Sequence, residues 1–216
     1  MRVLLPVFLV LAGAFLLGAV PFGYLAGRMR GIDLRAHGSG NIGATNTLRV
    51  LGTPTGIVVL LLDVLKGLLP VLVAGRLDGG AGANGWTLVG AGLAAILGHT
   101  FSPFLRFKGG KGVATSLGVL IGLSPLVAGL ALGLFLLVVA VTRYISLGSI
   151  LAALTQALLF WLPLFDGRAA PLPFRLLGLL AATFVIIKHR GNIERLRKGT
   201  EPRLGEKKPG DTPPAA

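Results

Sequence analysis

Three short polar stretches hold the residues whose types and spacing could do chemistry. The first runs Gly38-Ser39-Gly40-Asn41-Ile42-Gly43 and continues through Thr45 and Asn46 to Arg49. Glycines let backbone N–H groups approach an anion closely, and hydroxyls and amides add hydrogen bonds. A guanidinium adds a fixed charge suited to phosphate. The run matches G-x-G-x-x-G formally, but a dinucleotide site needs a strand before it, and an apolar run of helical length precedes it here. A solvated loop with helix caps is the plain alternative; the density of glycines and amides favours an anion site. The second stretch is Lys108-Gly109-Gly110-Lys111-Gly112. It is not a Walker loop, because Gly112 stands where Ser or Thr is required. It still sets two lysines around a Gly-Gly pair just before a helix predicted from Val113, and helix N-termini attract anions. The third has His189 and Asn192, spaced to share a helical face, among Arg190, Arg195 and Arg197. A short turn with Arg143 and Ser146 joins this set, with Ser149 as the alternative serine.

Everything around these stretches is apolar. Of 216 residues, 53% are hydrophobic and only 13% charged, about half the charge of an ordinary soluble domain. Mean hydropathy is +0.81. Such a chain reads as an all-α, polytopic integral membrane protein. One membrane domain is expected over residues 1–198, followed by a polar, proline-rich, disordered tail over 199–216. There are no cysteines, which removes thiolate chemistry. Three histidines and eight scattered carboxylates make a poor metal case, so no metal or cofactor is expected. A net charge of +13 without aromatic stacking residues in the basic tail points to anionic lipid and phosphate rather than nucleic acid.

Apolar runs of spanning length fall at about 3–27, 54–75, 85–105, 125–142, 148–165 and 172–188, and a shorter one at 113–123. The first is read as a retained helix, since no small-residue cleavage site follows it. Ser124-Pro125 separates the short run from its neighbour. Cytoplasmic loops are rich in Lys and Arg. Seven spans with the N-terminus outside and the C-terminus cytoplasmic bring Arg28, Arg30, Arg35, Arg49, Arg106, Lys108, Lys111, Arg143 and the C-terminal basic residues to one face. Six spans would divide them. The glycine pairs Gly118-x-x-x-Gly122 and Gly129-x-x-x-Gly133 predict close helix packing. Asp63 and Lys66, inside the second span, read as a mutual ion pair.

A basic, glycine-lined site at the cytoplasmic surface suits an enzyme joining a soluble phosphate compound to a lipid-soluble one. It also suits an organic-phosphate transporter, although transporters place such groups near the midplane and show internal repeats. The motifs "GSGNIGATNTLRVLG", "GHTFSPFLRFKGGKGVAT" and "KHRGNIERLRKGTEPRLGEK", with "DVLKG" between the first two, resemble those of the bacterial acyl-phosphate-dependent glycerol-3-phosphate acyltransferases of the PlsY type. The resemblance runs from Phe22 to about Lys207. It implies a seven-span inner-membrane enzyme that moves a fatty acyl group from acyl phosphate to the 1-hydroxyl of sn-glycerol 3-phosphate, giving lysophosphatidic acid and phosphate. It also implies roles. Ser39, Arg49, His189 and Asn192 are the expected catalytic positions. Gly38, Gly40, Asn41, Thr45, Asn46, Lys108, Gly109, Gly110, Lys111, Gly112 and Ser146 are expected to bind substrate phosphate. The expected partners are glycerol 3-phosphate, acyl phosphate and membrane lipid, and the expected state is a monomer. His189 and Glu194 echo the His-x4-Asp pair of soluble acyltransferases, but residues five apart do not share a helix face, and the resembled family lacks that motif.

Overall fold

The computed structural model describes residues 4–77, 85–164 and 167–206, and these residues form helices and loops. The helices are α1 (Leu4–Ala19), α2 (Phe22–Arg28), α3 (Ala44–Leu51), α4 (Thr53–Leu77), α5 (Trp86–Thr100), α6 (Val113–Leu123), α7 (Pro125–Thr142), α8 (Ile145–Leu159), α9 (Leu172–Lys188) and α10 (Arg190–Arg197). Among the described residues, four stretches are long and apolar enough to cross a membrane: Leu5–Arg28, Thr53–Arg76, Trp86–Leu105 and Pro125–Thr142. The pair α9–α10, bent by 59°, makes a fifth, and α6 and α8 are shorter apolar helices.

Burial is inverted relative to a soluble protein. On α7, Leu126, Leu130, Leu136, Leu137 and Val141 are all exposed, Val141 by 76%. An apolar face of that extent is stable against lipid, not water. Small residues instead line the contacts between helices. A Cβ on Gly18 would stand 2.2 Å from the Ala95 carbonyl oxygen, and one on Gly98 2.1 Å from that of Phe15, so α1 and α5 touch backbone to backbone. Gly118 seats α6 on the backbone of α4 at Val64, and Gly122 seats it on the Val71 side chain. The second expected pair behaves otherwise: Gly129 and Gly133 face open space on α7. Spacing alone does not say which side of a helix meets a neighbour.

Three element boundaries differ from the sequence expectation. The first apolar run breaks at Val20-Pro21, because proline disfavours helix in the residue before it, and helix resumes as α2 at Phe22. The run expected at 148–165 forms α8 over Ile145–Leu159. It ends where Pro163 follows closely, and the chain turns back so that Ala170 N–H donates to the Phe160 carbonyl at 3.1 Å. The expected tail does not begin at 199. Residues 199–206 fold back on the bundle, where Leu204 N–H donates to the Arg143 carbonyl at 2.7 Å and Glu201 is buried. Composition read this segment as solvated; one carboxylate finding three donors holds it down. Residues 207–216 lie outside the described residues.

Candidate active site

The first motif folds around a single amide. Asn46 is 1% exposed. Its Nδ2 donates to the carbonyls of Leu34, His37 and Asn41 at 3.2, 3.1 and 2.8 Å. Its Oδ1 accepts Ser39 N–H at 2.8 Å. Asn41 Oδ1 likewise accepts Gly43 N–H at 2.9 Å. Both amides, expected as phosphate ligands, are turned onto the loop's own backbone, because buried carbonyls there need donors. Gly38 and Gly40 have φ of 60° and 69°, a region costly for residues with a Cβ. A Cβ on Gly38 would in addition stand 2.3 Å from Asn46 Oδ1. The loop therefore presents Ser39 and Thr45 outward, both exposed, with Arg49 one turn further along α3 and half-buried.

The second motif is built on the end of α5. Gly109 N–H donates to Thr100 C=O at 3.0 Å and Gly110 N–H to His99 C=O at 3.1 Å. These N–H groups were expected to cradle phosphate; here they fix the loop to the helix beneath. Arg106 and Phe107 have φ of 52° and 62°, a left-handed step uncommon for non-glycine residues, and it turns the chain back over α5. Gly112, at φ 79°, caps α6. What remains to meet an anion is the N-terminal turn of α6 and the two lysines. Lys108 is exposed, and Lys111 is half-buried.

Lys111 is where the distant segments meet. Its Nζ donates to Asn192 Oδ1. Asn192 Nδ2 donates to Glu201 Oε1 at 2.6 Å, Ser146 Oγ donates to the same oxygen at 2.6 Å, and Arg195 Nε donates to Oε2 at 2.8 Å. Residues from the α6 loop, α8, α10 and the C-terminal strap thus share one network. Ser149 back-bonds to Ile145 C=O at 2.9 Å, so of the two candidate serines only Ser146 joins it. Glu201 was not singled out from sequence, although it stands within the third motif among basic residues. His189 is 2% exposed, and its Nδ1 pairs with Val185 C=O at 2.8 Å.

The first motif lies at the same end of the bundle. A cleft of about 360 Å³ is lined by Tyr24 and Arg35 from its lead-in and by Phe104, Leu105 and Arg106 from the second motif. Among the described residues, no hydrogen bond joins its loop to Lys111.

Electrostatics follow burial. Lys111 is lowered to about 8, chiefly by desolvation, with Glu201 opposing and Arg195 assisting. His189, just beyond α9, is lowered to about 4 by desolvation and by Lys111, so it is neutral at neutral pH. With Nδ1 donating to the Val185 carbonyl, Nε2 keeps its lone pair. Burial raises the Glu201 carboxyl, but the donors Ser146, Asn192 and Arg195 outweigh it and hold it below the usual range.

Residues 8–199 match the model of the family described as glycerol-3-phosphate acyltransferase. The chain belongs to that family. It is an acyltransferase of the PlsY type. Curated relatives named glycerol-3-phosphate acyltransferase include one from Geobacter sulfurreducens, 53% identical over 89% of this chain and 95% of its own. Another, from Gloeobacter violaceus, is 48% identical over 90% and 93%. Among solved structures, PlsY (YgiH), an integral membrane glycerol 3-phosphate acyltransferase, superposes in its glycerol 3-phosphate form with a TM-score of 0.85 at 40% identity, over 92% of this chain and 96% of that one. Its lysophosphatidic acid form gives 0.82 at 39% identity, over 92% and 95%. At this likeness the family's all-helical, membrane-integral architecture is this chain's own.

Proposed function

We propose that this enzyme transfers a fatty acyl group from acyl phosphate to the 1-hydroxyl of sn-glycerol 3-phosphate. The products are lysophosphatidic acid and inorganic phosphate, the entry step of phospholipid synthesis. One observation carries the reading: Lys111 from the α6 loop, Ser146 from α8 and Asn192 and Arg195 from α10 converge, with Glu201 of the C-terminal strap, into one hydrogen-bonding cluster. The related PlsY, solved with glycerol 3-phosphate and with lysophosphatidic acid, supports the same acceptor and product.

The chemistry asks for placement more than for a strong base. Acyl phosphate is a mixed anhydride with an activated carbonyl and a good leaving group, so positioning and charge stabilisation suffice. Lys111 and Asn192 hold the phosphate of the acceptor, whose oxygen takes the place of Asn192 Oδ1 as acceptor from Nζ. Arg49 and Lys108 neutralise the donor's phosphate, and Ser39 steadies the oxyanion. The hydroxyl oxygen bonds to the carbonyl carbon, the bond from that carbon to the phosphate oxygen breaks, and the proton leaves on the departing phosphate. His189 orients the hydroxyl through Nε2; a group lowered to about 4 is a weak base at neutral pH.

We further propose a monomer with seven spans in the bacterial inner membrane. Leu5–Arg28, α4 to α9 then alternate across the bilayer, with the N-terminus outside and the network cytoplasmic. The direct contact of Lys111 with Asn192 supports a shared side for the second and third motifs.

Purified protein given palmitoyl phosphate and glycerol 3-phosphate should release inorganic phosphate with formation of lysophosphatidic acid. Uptake of organic phosphate into sealed vesicles without turnover would establish the transporter instead.

A further inference from the structure

A second polar cluster lies inside the bundle, below the glycine-rich loop. Asp63 and Lys66 of α4 and His99 of α5 are 2%, 2% and 5% exposed. Lys66 Nζ meets Asp63 Oδ1 at 2.7 Å and donates to Val20 C=O at 2.8 Å. His99 Nδ1 lies 3.8 Å from the same Asp63 oxygen. Ionisable groups at this depth are costly and mark function by default. An i,i+3 ion pair accounts for Asp63 and Lys66. It does not account for His99, whose Nδ1 has no hydrogen-bond partner among the described residues.

The loop above gives the reason. A Cβ on Gly110 would stand 2.2 Å from His99 Nε2, and one on Gly109 2.0 Å from the His99 carbonyl oxygen. The Gly-Gly pair therefore lies flat on His99, and Lys111 follows directly. The same cluster reaches the first motif. Lys66 caps Val20 at the α1–α2 break, and Ser102 Oγ caps Ala19 C=O beside it at 2.6 Å. From that break, α2 carries Gly23 against the Ile42 carbonyl of the Ser39 loop.

We propose that Asp63, Lys66 and His99 form a positioning unit that sets the height of the Gly110-Lys111 loop and its relation to the Ser39 loop. The inference rests on the reading that Lys111 holds a substrate phosphate. None of the three touches a reacting atom: Asp63 holds Lys66 and lies against His99, Lys66 fixes the α1–α2 break, and the His99 ring is the floor under Gly110.

A double-mutant cycle with a second readout tests it. Gly110→Ala, whose methyl meets the ring, lowers kcat/KM for glycerol 3-phosphate about a hundredfold, the order expected for a misplacement near 1 Å. His99→Ala alone lowers it about tenfold through KM for glycerol 3-phosphate, and changes KM for palmitoyl phosphate by less than about twofold. The double variant is no worse than Gly110→Ala alone, because the new methyl occupies the vacated ring space. Amide exchange at Gly109 and Gly110 in detergent rises in His99→Ala, since the floor under their hydrogen bonds is gone. Multiplying effects, equal losses in both KM values, or unchanged exchange overturn the proposal. Should His99→Ala not accumulate, His99→Asn removes the Nε2 edge that lies under Gly110 and is read by the same outcomes. A wild type that releases no phosphate refutes the acyl-transfer reading, while exchange still reports whether His99 holds the loop.

Discussion

Lys111 gives the sharpest handle on the site, because its charge is poised within an accessible pH range. Burial lowers its ammonium to about 8. In the free enzyme it is therefore about nine-tenths protonated at pH 7 and about one-tenth at pH 9. The cation is present below this value and lost above it. If the ammonium binds the acceptor's phosphate, kcat/KM for glycerol 3-phosphate falls about tenfold between pH 7 and pH 9, because that ratio reports the enzyme before the acceptor binds. A bound phosphate stabilises the ammonium and raises its pKa, so kcat stays nearly flat and the loss sits in KM. Phosphate monoesters have a second pKa of about 6, so the substrate's own titration lies on the acid side. The assay is inorganic phosphate release at saturating palmitoyl phosphate, with glycerol 3-phosphate varied at each pH and spontaneous donor hydrolysis subtracted. Lys111→Arg, charged throughout, lowers the plateau and abolishes the alkaline limb. A limb of unchanged midpoint in Lys111→Arg, or one in kcat alone, refutes the assignment.

The other predictions concern the groups that hold the cluster together. Glu201→Ala leaves the Ser146 and Asn192 donors buried without an acceptor, which at about 1–3 kcal/mol each costs about 2–6 kcal/mol, read as a lower Tm in detergent. Because the Glu201 carboxyl is held below its usual value of 4.5, the stability it adds is complete above that pH and is lost as pH falls through the lowered value. The Tm gap between wild type and Glu201→Gln should therefore narrow in acid. His189→Ala raises KM for glycerol 3-phosphate with a modest loss of kcat; a collapse of kcat at unchanged KM would make His189 the base. Asn46→Ala removes the three bonds that Nδ2 donates and the one that Oδ1 accepts in a buried loop, costs about 2–4 kcal/mol at about 1 kcal/mol per bond, and loosens Ser39 enough for limited proteolysis to cut within 37–46.

Much of the architecture was legible because the bilayer imposes simple rules. Apolar length found the helices, proline found the break before α7, and an isolated Asp63–Lys66 pair had to be mutual. Glycine and lysine patterning located the loop before α6, and basic asymmetry implied that it meets the third motif. The individual roles of polar residues were less legible. Asn46 and Ser39 belong to the same short motif, yet one is sealed under the loop and the other is exposed. Side-chain type does not encode that difference; the fold of the loop does. Gly109 and Gly110 looked like a phosphate cradle because glycine serves equally for close approach to an anion and close approach to a helix end. Glu201 escaped notice because its partners lie 9 and 55 residues away, and composition sees only a charged tail.

Helix α6 has 11 residues and is about 16 Å long, whereas the hydrocarbon it would cross is about 30 Å deep. If α6 is one of the seven spans proposed above, the lipid film would make up the shortfall by pinching inward beside it. Lys111 would stand at the rim of that dimple. A greasy donor then need not rise out of its leaflet to react, and a polar acceptor need only descend into a wet depression to reach it.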